Sequence, residues 1–286
     1  MASTAFQLVY QFGDAFAFLV IAASGLAVIF GMMGIINLAH GEFIMCGAYA
    51  TVFAARAGLP LPFAIAAGAL SAGLVGMAIE RLVIRRLYHR PVDSIVATWG
   101  ISLIATQGVL IFLGSTMQGI GTPFGSVTVG GYSYSIYRLV LFAAAIVLLL
   151  ALYLLFYRTR FGIVSRATIQ LPHMARALGV DTGRVYTLTF GLGAALAGLA
   201  GGLYAPTMTM VPTLGRTFIV ESFVTVVTGG AAIFLGAAPA AAILAAIKAA
   251  LTAWHGQLFG QIGLLVAVIV VIRLLPGGLS GWLKRG

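Results

Sequence analysis

Charge is what this 286-residue chain lacks most: Lys, Arg, Asp and Glu together make up 8% of it, and only six residues are acidic. Soluble domains carry about 25% charged residues, while here 61% of the chain is hydrophobic. Apolar stretches of about 20 residues, the length that crosses a bilayer as a helix, recur from end to end. A soluble domain is thereby excluded, and the chain reads as an all-α, polytopic membrane bundle. Cysteine is nearly absent too. A single Cys46 inside an apolar run excludes an internal disulfide and a cysteine metal cluster. The two lysines, Lys248 and Lys284, follow Ile247 and Leu283, so the Gly-Lys-Ser/Thr of a phosphate-cradling loop is missing. His40, His89, His173 and His255 are scattered without an HExxH spacing, and no G-x-S-x-G occurs. The reading is of no enzyme, no catalytic residue, no metal ligand and no cofactor. If the chain's work consumes ATP, another chain must hydrolyse it.

What charge there is follows a pattern. The net charge is +10, and twelve of the sixteen basic residues fall in three places: Arg81 to Arg90, Arg158 to Arg184, and Arg273 with Lys284 and Arg285. Clusters between apolar spans are the positive-inside signature rather than a basic face for nucleic acid. All three are expected on the cytoplasmic side, with the C-terminus. No Lys or Arg precedes Arg56, so the opening stretch is not read as a secretory signal.

Apolar segments lie at about 15–33, 43–57, 60–80, 94–114, 138–157, 185–205, 218–236, 238–254 and 258–275. They predict eight or nine membrane elements, some broken or re-entrant. Counting back from a cytoplasmic C-terminus puts the first end outside. The loop 115–137, rich in Gly, Ser, Thr and Tyr with some period-two alternation, is expected outside with a short hairpin. No linker or low-complexity tract divides the chain, so residues 1–286 are taken as one transmembrane domain.

The basic loop of about 158–184 is the most informative cytoplasmic feature. Pro172 suits an early helical position, "HMARAL" favours helix, and Gly179 can end it with a left-handed cap. A short helix over about 172–178 is predicted, either an ordinary connection or the knob that an ABC permease inserts into its ATPase.

"GLAVIFGMMGIINLAHGEFIMCGAY", "MARALGVDTGRVYTLTFGLGAALAGLAGGL", "ESFVTVVTGG" and "LLPGGLSG", in that order, resemble the branched-chain amino acid (LivH-type) permease family of ABC importers. The resemblance covers essentially the whole chain. It implies a bacterial inner-membrane subunit that moves a small polar solute from a periplasmic binding protein into the cytoplasm. It also implies a second homologous permease, as a heterodimer, and two cytoplasmic ATPase subunits, with Pro172, His173, Met174, Ala175, Arg176, Ala177, Leu178 and Gly179 as the ATPase-coupling segment. "ATWGISLI" (97–104) and "PTLGRTFIVESF" (212–223) resemble the urea and short-chain amide branch, which makes such a substrate the first expectation and a branched-chain amino acid the next. "TGGAAIFLGAAPAAAI" (228–243) departs from the family's usual glycine and asparagine pattern.

Two polar interruptions remain, "GIINLAHGEF" (34–43) and "ESFVTVVTGG" (221–230), each holding one of the six acids, Glu42 and Glu221. Interruptions of this kind mark discontinuous helices whose exposed backbone lines a pathway, and a carboxylate in lipid normally faces a cavity or a partner. Asn37, His40, Glu42 and Glu221, with Thr98 and Trp99 of a span that the resemblance places in the core, are the pathway candidates, and Ser102 of the same span is a softer one. The alternative is structural: Glu42 caps a half-helix or pairs with a base, His40 fills a packed bend, and Trp99 is a packing or interfacial aromatic. Lys248 either pairs with an acid or, as favoured here, snorkels to an interface. "GLGAALAGLAGG" (191–202) is read as a close-packing face. A stand-alone channel or secondary transporter is the second reading of function, and an intramembrane enzyme using His40 and Glu42 the third.

Overall fold

The computed structural model describes residues 2–88, 90–230, 236–275 and 277–283, so His89, Lys284, Arg285 and part of the 228–243 stretch lie outside the described residues. Helices α1 (Ala2–Met33), α2 (His40–Arg56), α3 (Leu61–Leu82) and α4 (Pro91–Leu113) come first. A hairpin of β1 (Ser126–Val129) and β2 (Tyr132–Ser135) follows, antiparallel with Val129 opposite Tyr132. Then come α5 (Ile136–Arg158), α6 (Arg160–Gln170), α7 (Pro172–Ala177), α8 (Thr182–Tyr204), α9 (Leu214–Gly229), α10 (Ala238–His255), α11 (Gln257–Leu274) and α12 (Gly278–Leu283). Among the described residues, seven helices are long and apolar enough to cross a membrane: α1, α3, α4, α5, α8, α10 and α11. This is a polytopic helical membrane bundle.

The nine apolar segments each hold a helix, but two are short. With 17 residues in α2 and 16 in α9, both fall below the usual spanning length of about 20. The first polar stretch, 34–43, is the break before α2 together with its first turn, whereas the second, 221–230, is no break: residues 221–229 are helical and form the second half of α9. Two further elements differ from the sequence expectation. Helix α1 starts at Ala2 rather than near 15, because Asp14, which argues for an end, is paired with Arg138. An unexpected helix, α6, occupies 160–170; the Thr159 hydroxyl accepts from Gly162 N at 3.2 Å and starts it.

The chain packs as two compact units, one of 1–23, 122–151 and 222–286 and the other of 24–121 and 152–221. In the second unit α8 is the axis. Its small residues let α2, α3 and the 24–33 part of α1 approach at backbone distance, which is the close packing expected of "GLGAALAGLAGG". A Cβ placed on Gly193 would lie 2.8 Å from the Gly25 carbonyl oxygen, and one on Gly198 2.9 Å from that of Gly68. At one end of this unit Arg85 Nη2 donates to Gly183 O at 3.2 Å, bringing the first two basic clusters together. Elsewhere in the unit Arg56 donates to Gln118 O, and Met117 forms a backbone bridge with Met210.

In the first unit Asp14 accepts from Arg138, and Tyr10 donates to Ser135 O at 3.0 Å. Lys248 stands 5.7 Å over the Phe18 ring and acts on Asp14 electrostatically, so the acid partner weighed for Lys248 is Asp14. The motifs "ESFVTVVTGG" and "LLPGGLSG" meet here. A Cβ on Gly278 would lie 2.7 Å from Gly230 N.

Candidate functional site: two half-helix starts

Helix α1 ends at Met33, where Gly34 (φ +64°) takes a backbone turn that only glycine adopts readily. The next five residues make a buried bend. Asn37 holds it from inside: its Oδ1 accepts from Ala39 N at 3.0 Å and its carbonyl from His40 N at 3.3 Å. Thr98 of α4 holds it from outside, accepting from Leu38 N at 3.1 Å while donating to Ser94 O at 2.8 Å. His40 opens α2 fully buried, and its ring lies against Gly25, where a Cβ would come within 3.1 Å of Cε1.

Glu42 sits in the first turn of α2 and is only 8% exposed. Its Oε1 accepts from Ser102 Oγ at 2.8 Å and from Thr106 Oγ1 at 3.2 Å. Those two hydroxyls are one turn apart near the middle of the 23-residue α4. Oε2 is buried and has no hydrogen-bond partner among the described residues, and the same holds for Asn37 Nδ2. The N-cap of α2 is Ala39, with no side-chain capping bond, so Glu42 is anchored to α4 rather than capping its own helix.

The start of α9 meets the start of α2. A Cβ on Gly41 would lie 2.5 Å from the Gly215 carbonyl oxygen, and one on Gly215 equally close to that of Gly41. Two helices that begin at touching glycines bring their N-terminal dipole ends together. The α9 residue that acts electrostatically on Glu42 is Arg216, exposed in the first turn. Glu221 lies further along the same helix, 7% exposed.

The structure therefore brings Asn37, His40, Glu42 and Thr98 into one bend and sets the start of the Glu221 helix against it. Trp99 is 57% exposed although it neighbours Thr98. Pro172 to Gly179 form a separate place: α7 covers Pro172–Ala177 and Gly179 takes φ +84°, as the glycine cap requires. Ala175 is buried there, while Leu171, Met174 and Leu178 are 63%, 60% and 81% exposed. Among the described residues no group of three or more His, Cys, Asp or Glu gathers that could hold a metal ion.

Ser102 is the softer candidate from sequence, and its bond to Glu42 gives it a place in the site; sequence reasoning missed Thr106 and Arg216. A signal for Arg216 was present, since it is one of four basic residues outside the three clusters, with Arg56, Arg138 and Lys248. Each of the four turns out to have a polar or aromatic neighbour: Gln118, Asp14, Glu42 and Phe18. Glu80 was missed as well. It is fully buried at the end of α3, where its Oε1 accepts from Tyr88 and faces Arg85 Nε at 3.6 Å, and its Oε2 accepts from Thr187 at 2.5 Å.

Residues 11–275 match the family described as the permease component of branched-chain amino acid transport systems. The probable branched-chain amino acid transport permease protein LivH of Methanocaldococcus jannaschii is 28% identical, with 93% of this chain and 90% of that protein covered. The LivH permease of the high-affinity branched-chain amino acid transport system of Escherichia coli is 27% identical, over 91% of this chain and 90% of its own length. BraD of Pseudomonas aeruginosa, named for the same kind of system, is 28% identical over the same shares. No solved structure matches this chain. The chain is a multi-pass membrane permease component rather than an enzyme, and it belongs to the family of branched-chain amino acid transport system permeases.

Proposed function

We propose that this chain is the membrane-spanning subunit of an ATP-driven importer that accepts a small polar solute from a periplasmic binding protein and releases it into the cytoplasm. Its partners are a second, homologous permease in a heterodimer, two cytoplasmic ATPase subunits and that binding protein. The two compact units work as one permease domain, with the three basic clusters and the C-terminus in the cytoplasm. The observation that carries the reading is α7. A six-residue helix that leaves Leu171, Met174 and Leu178 bare, between arms of arginine, is costly for a channel and useful as a docking knob. Asn37, His40, Glu42, Thr98, Trp99 and Glu221 border the solute path.

The names of the relatives favour an amino acid with a branched aliphatic side chain as the solute. The second substrate reading, urea or a short-chain amide, rests on the 97–104 and 212–223 stretches.

The docking assignment is tested at Gly179. No atom lies within 4 Å of an added Cβ there, so only the positive φ penalises a side chain. Gly179→Val is expected to abolish the ATP hydrolysis that the loaded binding protein stimulates, while the permease still inserts. Gly179→Asn, which tolerates this conformation, should keep it. Ala175→Glu, which forces a charge into the buried side of α7, should uncouple as Gly179→Val does. Stimulated hydrolysis that survives Gly179→Val and Ala175→Glu would remove 172–179 from the coupling role.

A further inference from the structure

Helix α6 meets the end of α5 at an elbow that carries three arginines, Arg158, Arg160 and Arg166, and no acid. The whole stretch between Asp93 and Asp181 holds no Asp or Glu. Elsewhere Arg85, Arg90, Arg138 and Arg184 each lie against a carboxylate. The three elbow arginines have no such partner among the described residues. Like charges repel, so three of them kept together gain from an anion supplied from outside the chain.

The elbow's geometry says where that anion comes from. The last turns of α5 expose Tyr153, Leu154 and Tyr157, and the two tyrosine rings stack at 5.0 Å. Tyrosines at the end of a span are the interfacial belt of a membrane protein. Arg166 lies 4.5 Å over the Tyr157 ring, so its guanidinium is held beside that belt. Helix α6 itself has two faces. Gly162, Ser165 and Thr168 are buried on one, where a Cβ on Gly162 would lie 2.4 Å from Phe156 Cα. On the other, exposed Ile163 has Arg160 three residues before it and Arg166 three after, the spacing of neighbours on a helix surface. An apolar side chain flanked by cations suits a helix that lies in the membrane–water interface. A soluble anion has no use for exposed Leu154 and Ile163, whereas a phospholipid uses both kinds of group.

We propose that the α5–α6 elbow is a headgroup site for an anionic phospholipid of the cytoplasmic leaflet. Arg158, Arg160 and Arg166 take the phosphate, Tyr157 holds Arg166 in place, and Leu154 and Ile163 lie along the acyl chain. The proposal rests on the reading of this loop as cytoplasmic and goes beyond the importer reading. Because Leu171 alone separates α6 from α7, a lipid bound here fixes the base from which the docking helix projects.

Binding is read on the purified full chain, without transport. Dioleoylphosphatidylglycerol retained per chain in detergent is counted by native mass spectrometry across a lipid titration, with dioleoylphosphatidylcholine as the neutral comparison. An arginine at the membrane surface is worth about fivefold in binding an anionic lipid. Arg158→Gln, Arg160→Gln and Arg166→Gln combined should therefore weaken phosphatidylglycerol binding about a hundredfold and leave phosphatidylcholine unchanged. The corresponding triple lysine variant keeps the charge and should retain most of the binding. Arg81→Gln, Arg86→Gln and Arg90→Gln combined, the same loss of charge in the first basic cluster, should cost less than about tenfold. Equal weakening by the two glutamine triples, or wild-type binding by the elbow triple, would overturn the proposal. Displacement of the lipid by sn-glycerol 3-phosphate would overturn it too, by marking a site for free phosphate. An elbow triple that keeps the lipid but no longer binds the ATPase subunits would overturn it in favour of a protein contact. Labelling of Ile163→Cys from outside intact cells, read separately from binding, would overturn the cytoplasmic reading and the leaflet with it.

Discussion

Gly201→Val is expected to deplete the folded chain from the membrane. Gly201 lies on α8 where that helix crosses α2. An added Cβ would overlap the Ile44 carbonyl oxygen and come within 2.8 Å of Ala48 N. Both obstacles are backbone atoms of a buried helix, so no side chain can swing aside. Overpacking a core costs about 1–3 kcal/mol when neighbours can yield, and more when they cannot. The expected penalty is therefore about 3 kcal/mol or above, a large part of the stability of a typical domain. Gly108→Ala is the control. Nothing lies within 4 Å of a Cβ there, and alanine is the better helix former by up to about 1 kcal/mol, so α4 should tolerate or gain from the change. Yield and thermal unfolding of the detergent-solubilised protein, measured for both variants side by side, check the contrast.

Glu80→Leu is expected to rank next. The Glu80 carboxylate is fully buried and serves three groups at once: the Tyr88 hydroxyl, the Thr187 hydroxyl and the half-exposed Arg85 guanidinium. Burial, and then the bond to Glu80, push the Tyr88 pKa well above its ordinary value, so the hydroxyl stays protonated and donates. Arg85 in turn donates to Thr187 Oγ1 at 3.0 Å and to Gly183 O, which ties the end of α3 to the first turns of α8. Leucine removes the acceptor, strands the Tyr88 hydroxyl and leaves Thr187 to donate only to Gly183 O. The cost should be about 2–3 kcal/mol, below that of a fully buried ion pair because water screens Arg85. Glu80→Gln keeps one acceptor oxygen and should lose roughly half as much. Thermal unfolding, with Arg85→Gln as the milder comparison, reads the order Leu, then Gln, then Arg85→Gln.

The two predictions show where sequence was and was not informative. The apolar segments mark the helices because twenty residues without charge have one stable arrangement in a bilayer. Small-residue spacing on 191–202 marks α8 as a packing face for the same kind of reason, and Gly179 marks its own cap because few residues tolerate a positive φ. The site was legible only on one side. Asn37, His40 and Glu42 stand out as polar residues in an apolar run, whereas Ser102 and Thr106 are small hydroxyls that any membrane helix carries by bonding its own backbone. Only the register of α4 against α2 gives them a role. Arg216 was visible as a cation outside the three basic clusters, yet its neighbour depends on the Gly41–Gly215 approach, a contact between segments more than 170 residues apart. Glu80 adjoins the first basic cluster in sequence, and nothing in that neighbourhood marks it as buried. Its burial follows from the Thr187 and Tyr88 contacts, which no local pattern encodes. Helix α6 was missed because its polar composition reads as loop until Thr159 is seen to cap it.

The central claim is that this chain conducts solute only as part of an ATP-driven assembly. Uptake of radiolabelled L-leucine and urea into proteoliposomes, with the purified chain alone and with the chain beside its partner permease, ATPase subunits and loaded binding protein, tests that claim most directly. The account predicts no uptake above empty liposomes for the chain alone, and accumulation by the full assembly that stops when ATP is withheld. Rapid equilibration of either solute through the chain alone, unaffected by ATP, would contradict it and mark the chain as a stand-alone channel.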